Sequence, residues 1–173
     1  KDYWRQMMIA EKESSNKLFA TIADKAIMGI LAAVIWANVR PARDDAKEAR
    51  AKADIRAIVS AINILGTDSE EWPGHWVPWA VDSGSGGNEV WDLNAQEAGL
   101  TQNDSSTPYT NWRGPYISNA LIDPWGNPYF LDPDYDVDPG AGQTWAIVVG
   151  SFGPNGVGQN LFDSDDVYFE ITR

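Results

Sequence analysis

The first 65 residues hold one glycine, Gly29, and one proline, Pro41, while the remaining 108 carry fourteen glycines and nine prolines. Glycine and proline are the residues that most disfavour helix interiors. A chain divided in this way can fold into a long helix followed by a loop-rich, turn-rich part, and into little else. Ala42 to Leu65 is rich in Ala, Lys, Arg and Glu, all good helix formers. Ile55, Ile58, Val59, Ile62 and Leu65 recur at three- and four-residue steps and form one apolar face, with Ala42, Ala46, Ala49 and Ala53 upstream. Gly66-Thr67-Asp68 carries stop and turn signals, so the helix is expected to end near Gly66.

Ala26 to Val39 is an apolar run bounded by Asp24 and Lys25 on one side and Arg40 on the other. At about 1.5 Å per residue it reaches roughly 21 Å, short of the ~30 Å hydrocarbon core. Hydropathy therefore favours a buried helix, or one packed between subunits, over a membrane span. Pro41 removes a backbone hydrogen bond and is expected to kink or loosen the helix.

After the helix the chain is irregular. Ser83-Gly84-Ser85-Gly86-Gly87 and Asn103-Asp104-Ser105-Ser106 read as loops, and a short helix is expected from Leu93 to Ala98. Three strands follow, at about 128–131, 144–150 and 166–171, joined by loops containing Pro and Gly. Asp123-Pro124-Trp125-Gly126-Asn127-Pro128-Tyr129 makes a corner, because both X-Pro steps are biased away from helix around a Trp-Gly-Asn turn. The fold class expected is α+β: a long N-terminal helix packed on a small three-stranded antiparallel sheet with long irregular loops. The expected domains are residues 1–65 and residues 66–173.

Charge narrows the function. Residues 1–65 hold 11 basic and 8 acidic residues, whereas residues 66–173 hold 2 basic and 17 acidic, a net charge of −15. An acidic globular part lacks the basic footprint that nucleic acid requires. The chain has no cysteine, so no disulfide can staple it. His75 is the single histidine and lies in a Trp72-Pro73-Gly74-His75-Trp76 turn, which reads as packing. With no triad, no phosphate loop and no distinguished pair of carboxylates, an enzyme is not expected.

Three local patterns carry a family resemblance: Gly114-Pro115-Tyr116, the Asp123 to Tyr129 corner, and Ser151-Phe152-Gly153-Pro154-Asn155-Gly156 followed by Asp163-Ser164-Asp165-Asp166. In this order, after a helix containing Gly29-Ile30-Leu31-Ala32-Ala33-Val34, the chain resembles the major pseudopilins of the type II secretion system, relatives of type IV pilins. Residues 1–28 depart from that pattern. The family begins its mature chain with Phe-Thr-Leu-x-Glu, and the place of its glutamate falls near Ala20.

The resemblance implies a subunit of a helical filament, assembled through its N-terminal helix in the periplasm or at the cell surface. Implied partners are copies of itself, minor pseudopilins and an inner-membrane assembly platform, with membrane contact only through the helix before assembly. It also implies a Ca²⁺ ion in the C-terminal loop, held by Asn155, Asp165 and Asp166 with backbone carbonyls near Ser151, Phe152 and Asp163. Asn155 stands where the family usually has Asp. Read on their own, Asp163, Asp165 and Asp166 are either a solvated turn or hard-oxygen ligands for calcium. A second acidic run, Asp132 to Asp138, lacks the EF-hand glycine and glutamate and is expected to be a solvated hairpin loop. The alternative function is a calcium-dependent carbohydrate-binding module that uses Trp72, Trp76, Trp79 and Trp91.

Overall fold

The computed structural model describes residues 2–81, 87–118, 121–140 and 142–172, with the side chains of residues 2, 10 and 32–41 outside that description. The Ser83–Gly86 loop, Arg40, Pro41 and the Ala32–Val39 part of the apolar run fall wholly or by their side chains among the residues left out. One helix, α1 (Asp2–Ser69), precedes three strands: β1 (Phe130–Asp136), β2 (Trp145–Ser151) and β3 (Val167–Thr172). The strands form an antiparallel meander in the order β1-β2-β3. The chain divides into two compact units, Lys1–Asp45 and Ala46–Arg173. The last six turns or so of α1 thus belong to the same compact unit as the sheet, and the buried core of that unit begins at Ala51.

In the first unit α1 exposes Tyr3, Trp4, Met7, Met8, Leu18, Phe19, Ile22, Ile27, Met28, Ile30 and Leu31. At 100° per residue, positions 18, 19, 22, 27, 28, 30 and 31 point around the whole circumference. Among the described residues no helix is long and apolar enough to cross a membrane. The helical assignment continues through residue 41, so Pro41 does not interrupt α1.

In the second unit Ile55, Ile58, Ile62 and Leu65 of the face expected from spacing are buried and Val59 is half-buried, whereas Ala46, Ala49 and Ala53, like Ala42 before them, are exposed and Ala51 is buried instead. Ala51, Ile55, Ile58, Ile62 and Leu65 pack with Leu131, Ile147 and Val149 from the sheet. Each fully buried Ile or Leu contributes roughly 1.5–3 kcal/mol relative to exposure. The helix does not stop at Gly66 but runs on to Ser69, where Glu70 turns left-handed (φ 65°) and donates its N–H to the Gly66 carbonyl. Gly66 serves close packing: a Cβ there would meet the Trp72 indole at 2.6 Å.

The other face of the sheet carries an aromatic cluster of Phe130, Tyr135 and Phe152 with Trp91 and Tyr168 around it. Phe130 and Phe152 stack with centroids 4.3 Å apart. The expected helix at Leu93–Ala98 is only a 3-10 turn, Gln96–Ala98. β1 starts later than expected and runs through the acidic stretch. Asp132, Asp134 and Asp136 are buried strand residues, so the reading of 132–138 as a solvated loop is corrected. Hydrogen bonds to β2 and the cover of the aromatic cluster outweigh the low strand propensity of Asp and Pro here.

Candidate metal-binding loop

The loop between β2 and β3 is built on the corner that precedes β1. Asp123, itself buried, accepts hydrogen bonds at Oδ1 from the N–H groups of Trp125 (2.9 Å), Gly126 (2.7 Å) and Asn127 (2.8 Å). Its other oxygen accepts the Ser151 hydroxyl, and Ser151 Oγ in turn accepts the Gly153 N–H at 3.0 Å. Asn127 Nδ2 donates to the Gly153 carbonyl at 3.0 Å. One carboxylate therefore closes its own turn and anchors the start of the loop. Gly153 is left-handed (φ 59°), and a side chain there would collide with the Asp165 carbonyl.

The acidic side chains gather around Asn155. Its Nδ2 donates to Asp163 Oδ2 (2.9 Å) and Asp165 Oδ1 (2.6 Å), and its backbone N–H donates to Asp165 Oδ2 (3.0 Å). An amide N–H₂ thus sits between two carboxylates, a position that suits a positive centre. Asp166 is turned inward: Oδ2 accepts the Tyr135 hydroxyl at 2.5 Å and the Asp163 N–H at 2.6 Å. Asp166 Oδ1 is buried without a hydrogen-bond partner. Burial, with the charges of Asp163 and Asp165, raises the Asp166 carboxyl above the usual range, against the Tyr135 and Asp163 hydrogen bonds that lower it. Gly158 leaves room for this carboxylate, since a Cβ there would meet Oδ2 at 2.7 Å.

The structure brings Asn155, Asp163 and Asp165 into direct contact and places Asp166 against Asp163. Ser151 and Phe152 supply no free side-chain donor: the Ser151 hydroxyl is held by Asp123, and the Phe152 ring packs in the aromatic cluster. The Phe152 carbonyl accepts the Gly156 N–H at 3.2 Å. Among the described residues no three His, Cys, Asp or Glu side chains converge as a ready-made metal cluster. Asp163, Asp165 and Asp166 nonetheless offer hard carboxylate oxygens, one buried carboxylate oxygen lacks a hydrogen-bond donor, and the adjoining segment has no Lys or Arg, which fits a hard cation such as calcium. Asn155, by contrast, turns Nδ2 toward the carboxylates and accepts the Val157 N–H at Oδ1. Residue spacing did not point to Asp123, Asn127 and Tyr135, which hold this loop from elsewhere in the chain. The corner motif was the only signal for the first two.

His75 is a packed residue. Its ring stacks on Tyr109 (centroids 4.1 Å apart), and Nδ1 pairs with Glu71 at 2.6 Å while Nε2 lies 3.6 Å from Asp104. The tryptophans do not form an exposed sugar platform. Trp72 is buried beneath Trp79, Trp91 packs against Phe130 and Phe152, and Trp76 donates its indole N–H to the Ala80 carbonyl. Trp79 alone of the four is largely exposed, at 61%.

A long helix laid against a three-stranded meander, closed by an acidic β2–β3 loop, is the architecture of a pilin-like protein. The fold matches the crystal structure of the major pseudopilin from the type 2 secretion system of enterohaemorrhagic Escherichia coli, with a TM-score of 0.50 at 23% identity, over 76% of this chain and 88% of that one. The family profile for type II secretion system (T2SS), protein G matches residues 93–167, which span the corner, β1, β2 and the loop up to the first residue of β3. The type II secretion system core protein G of Pseudomonas aeruginosa is 30% identical over 129 residues, 73% of this chain and 78% of that protein. The protein of the same name from Vibrio cholerae is 27% identical over 123 residues, 70% of this chain and 73% of that one. The chain belongs to the type II secretion system core protein G family and is a pseudopilin.

Proposed function

We propose that this chain is a subunit of a helical type II secretion pseudopilus, and that calcium bound in its β2–β3 loop stabilises the head. The observation that carries the filament reading is the exposed apolar circumference of α1 between residues 18 and 31. A helix apolar on one side needs one neighbour, but a helix apolar all round must be surrounded. Copies of the same helix around a common axis provide that environment. The acidic heads would then lie outside, and the basic positions Arg43, Lys47, Arg50, Lys52 and Arg56 favour register against acidic neighbours. Minor pseudopilins and an inner-membrane platform are the further partners of such a subunit, which places it in the periplasm.

Asn155, Asp163, Asp165 and Asp166 are the residues that would hold calcium. Bound to the folded loop alone, the ion would offset the mutual repulsion of these carboxylates and stabilise the head by mass action. The protein's own contribution is to fix the loop from below, through Asp123, Asn127 and Tyr135. No catalytic role is proposed.

Electron microscopy of the purified protein, with calcium or with EDTA, tests both parts. Regular filaments are expected with calcium, and their absence under all assembly conditions rejects the filament reading. Chelation is expected to lower the melting temperature, and Asp165→Ala or Asp166→Ala should abolish that response. A wild-type melting temperature indifferent to chelator rejects the calcium site and leaves the filament reading standing.

A further inference from the structure

Between Lys17 and Arg40 the only charged residues of α1 are Asp24 and Lys25. Both side chains are exposed, and so are Leu18, Phe19, Ile22, Ile27 and Met28 on either side of them. On a helix a charged side chain meets neighbours three or four positions away. Those positions, 20, 21, 27 and 28 for Asp24 and 21, 22, 28 and 29 for Lys25, are all uncharged. Asp24 and Lys25 are adjacent in sequence and leave the helix about 100° apart, so they do not face each other. The surface of α1 therefore gives neither an ion partner of its own.

In a filament of such helices, the reading on which this inference rests, the apolar belt is enclosed by copies of itself. A charge enclosed there alone would lose its water with nothing in exchange, whereas an opposite charge on the neighbouring copy offsets the loss. The apolar pattern sets how neighbours line up. A copy displaced far enough to set Leu18 and Ile22 against residues 11–17 would meet a block with no apolar member. Copies whose belts lie level keep apolar against apolar along the whole run. They also bring Asp24 of one copy beside Lys25 of the next, a single residue or about 1.5 Å along the axis.

We propose that Asp24 of one copy pairs with Lys25 of its neighbour, and that this ion pair inside the apolar belt fixes the axial register of the stalk helices. Because the two side chains diverge around the helix, each copy turns its aspartate to one neighbour and its lysine to another. Such a heterologous contact passes from copy to copy and builds a ring or a helix instead of closing on two copies. Apolar packing by itself tolerates sliding. A slipped copy sets both charges against apolar side chains, so the pair contributes a single register more than it contributes affinity.

Cross-linking tests the contact directly. Filaments assembled from equal parts of unlabelled and isotopically heavy full chain are treated with a carbodiimide, which joins a carboxylate and an amine in contact as an amide. Digestion and mass spectrometry are expected to find Asp24 joined to Lys25 of a chain carrying the other label. Asp24 joined to Lys17 instead, or to no lysine, overturns the proposal. Charge reversal is the second arm. Asp24→Lys and Lys25→Asp are each expected to lose regular filaments in electron microscopy, and the double exchange to regain them. Urea unfolding of the head is expected to be the same in all three variants, so that lost filaments report assembly and not folding. Single variants that assemble like wild type, or a double exchange that stays unassembled, overturn the pair while wild-type filaments leave the filament reading standing. A wild-type chain that forms no filaments under any condition rejects both.

Discussion

Asn127 donates its side-chain amide to the carbonyl of Gly153, 26 residues away, at 3.0 Å. The corner before β1 is thereby tied to the first turn of the β2–β3 loop. Asp123 doubles the connection by accepting both its own turn's N–H groups and the Ser151 hydroxyl. The run that marks the family is thus the platform on which the candidate calcium loop stands.

Asp123→Ala should be among the costliest single changes in the head. It removes four hydrogen bonds and strands several buried donors, each worth about 1–3 kcal/mol when left unmade. A loss of about 3 kcal/mol or more in urea unfolding is expected, with weaker calcium stabilisation because Ser151 and Gly153 lose their anchor.

Gly153→Ala tests the turn itself. The residue is at φ 59°, and the new methyl would meet the Asp165 carbonyl, so the loop backbone must shift. Destabilisation by more than about 1 kcal/mol is expected, since strain and collision add. Gly126→Ala is the control: its φ is 103° but a methyl there meets nothing within 4 Å, so its cost should come from backbone strain alone.

Tyr129→Phe probes the link between corner and helix. The buried Tyr129 hydroxyl donates to Asp54 of α1 at 3.0 Å, next to Arg50. Asp54 is partly exposed and can turn to water, so the loss should be about 0.5–1.5 kcal/mol, the range of an ordinary hydrogen bond. Thermal unfolding of the variant measures it.

Acid should act through Asp104. The Ser106 N–H, at 2.7 Å, is the first cause that holds this carboxyl below its usual range, opposed by burial and helped by Thr107 and His75. A lowered folded pKa means that the stabilisation is present above about pH 3.9 and is lost as pH falls through the folded value. Below pH 4 the wild type should lose stability more steeply with falling pH than Asp104→Asn, as read from thermal melts at matched ionic strength.

Residue periodicity alone located the buried face of α1, because Ile55, Ile58, Ile62 and Leu65 repeat with the helix and helical geometry is local. The three strands and their order were legible for a related reason: β-branched runs separated by Gly and Pro leave few other arrangements. The acidic stretch of β1 was not. Alternating Asp reads as a solvated loop, and nothing in its own residues reveals the aromatic cluster and the β2 strand that bury it. Gly66 misled in the same way, since its stop signal yields to the Trp72 indole packed against it.

The sequence by itself therefore determined a long helix, a short meander and a family, since each is written in local pattern. The tertiary structure decided which carboxylates matter. Asp123 became an anchor, Asp166 was drawn to Tyr135, and Asp132 was buried beside Asp134, because each role depends on partners brought together by folding rather than by neighbourhood in the chain.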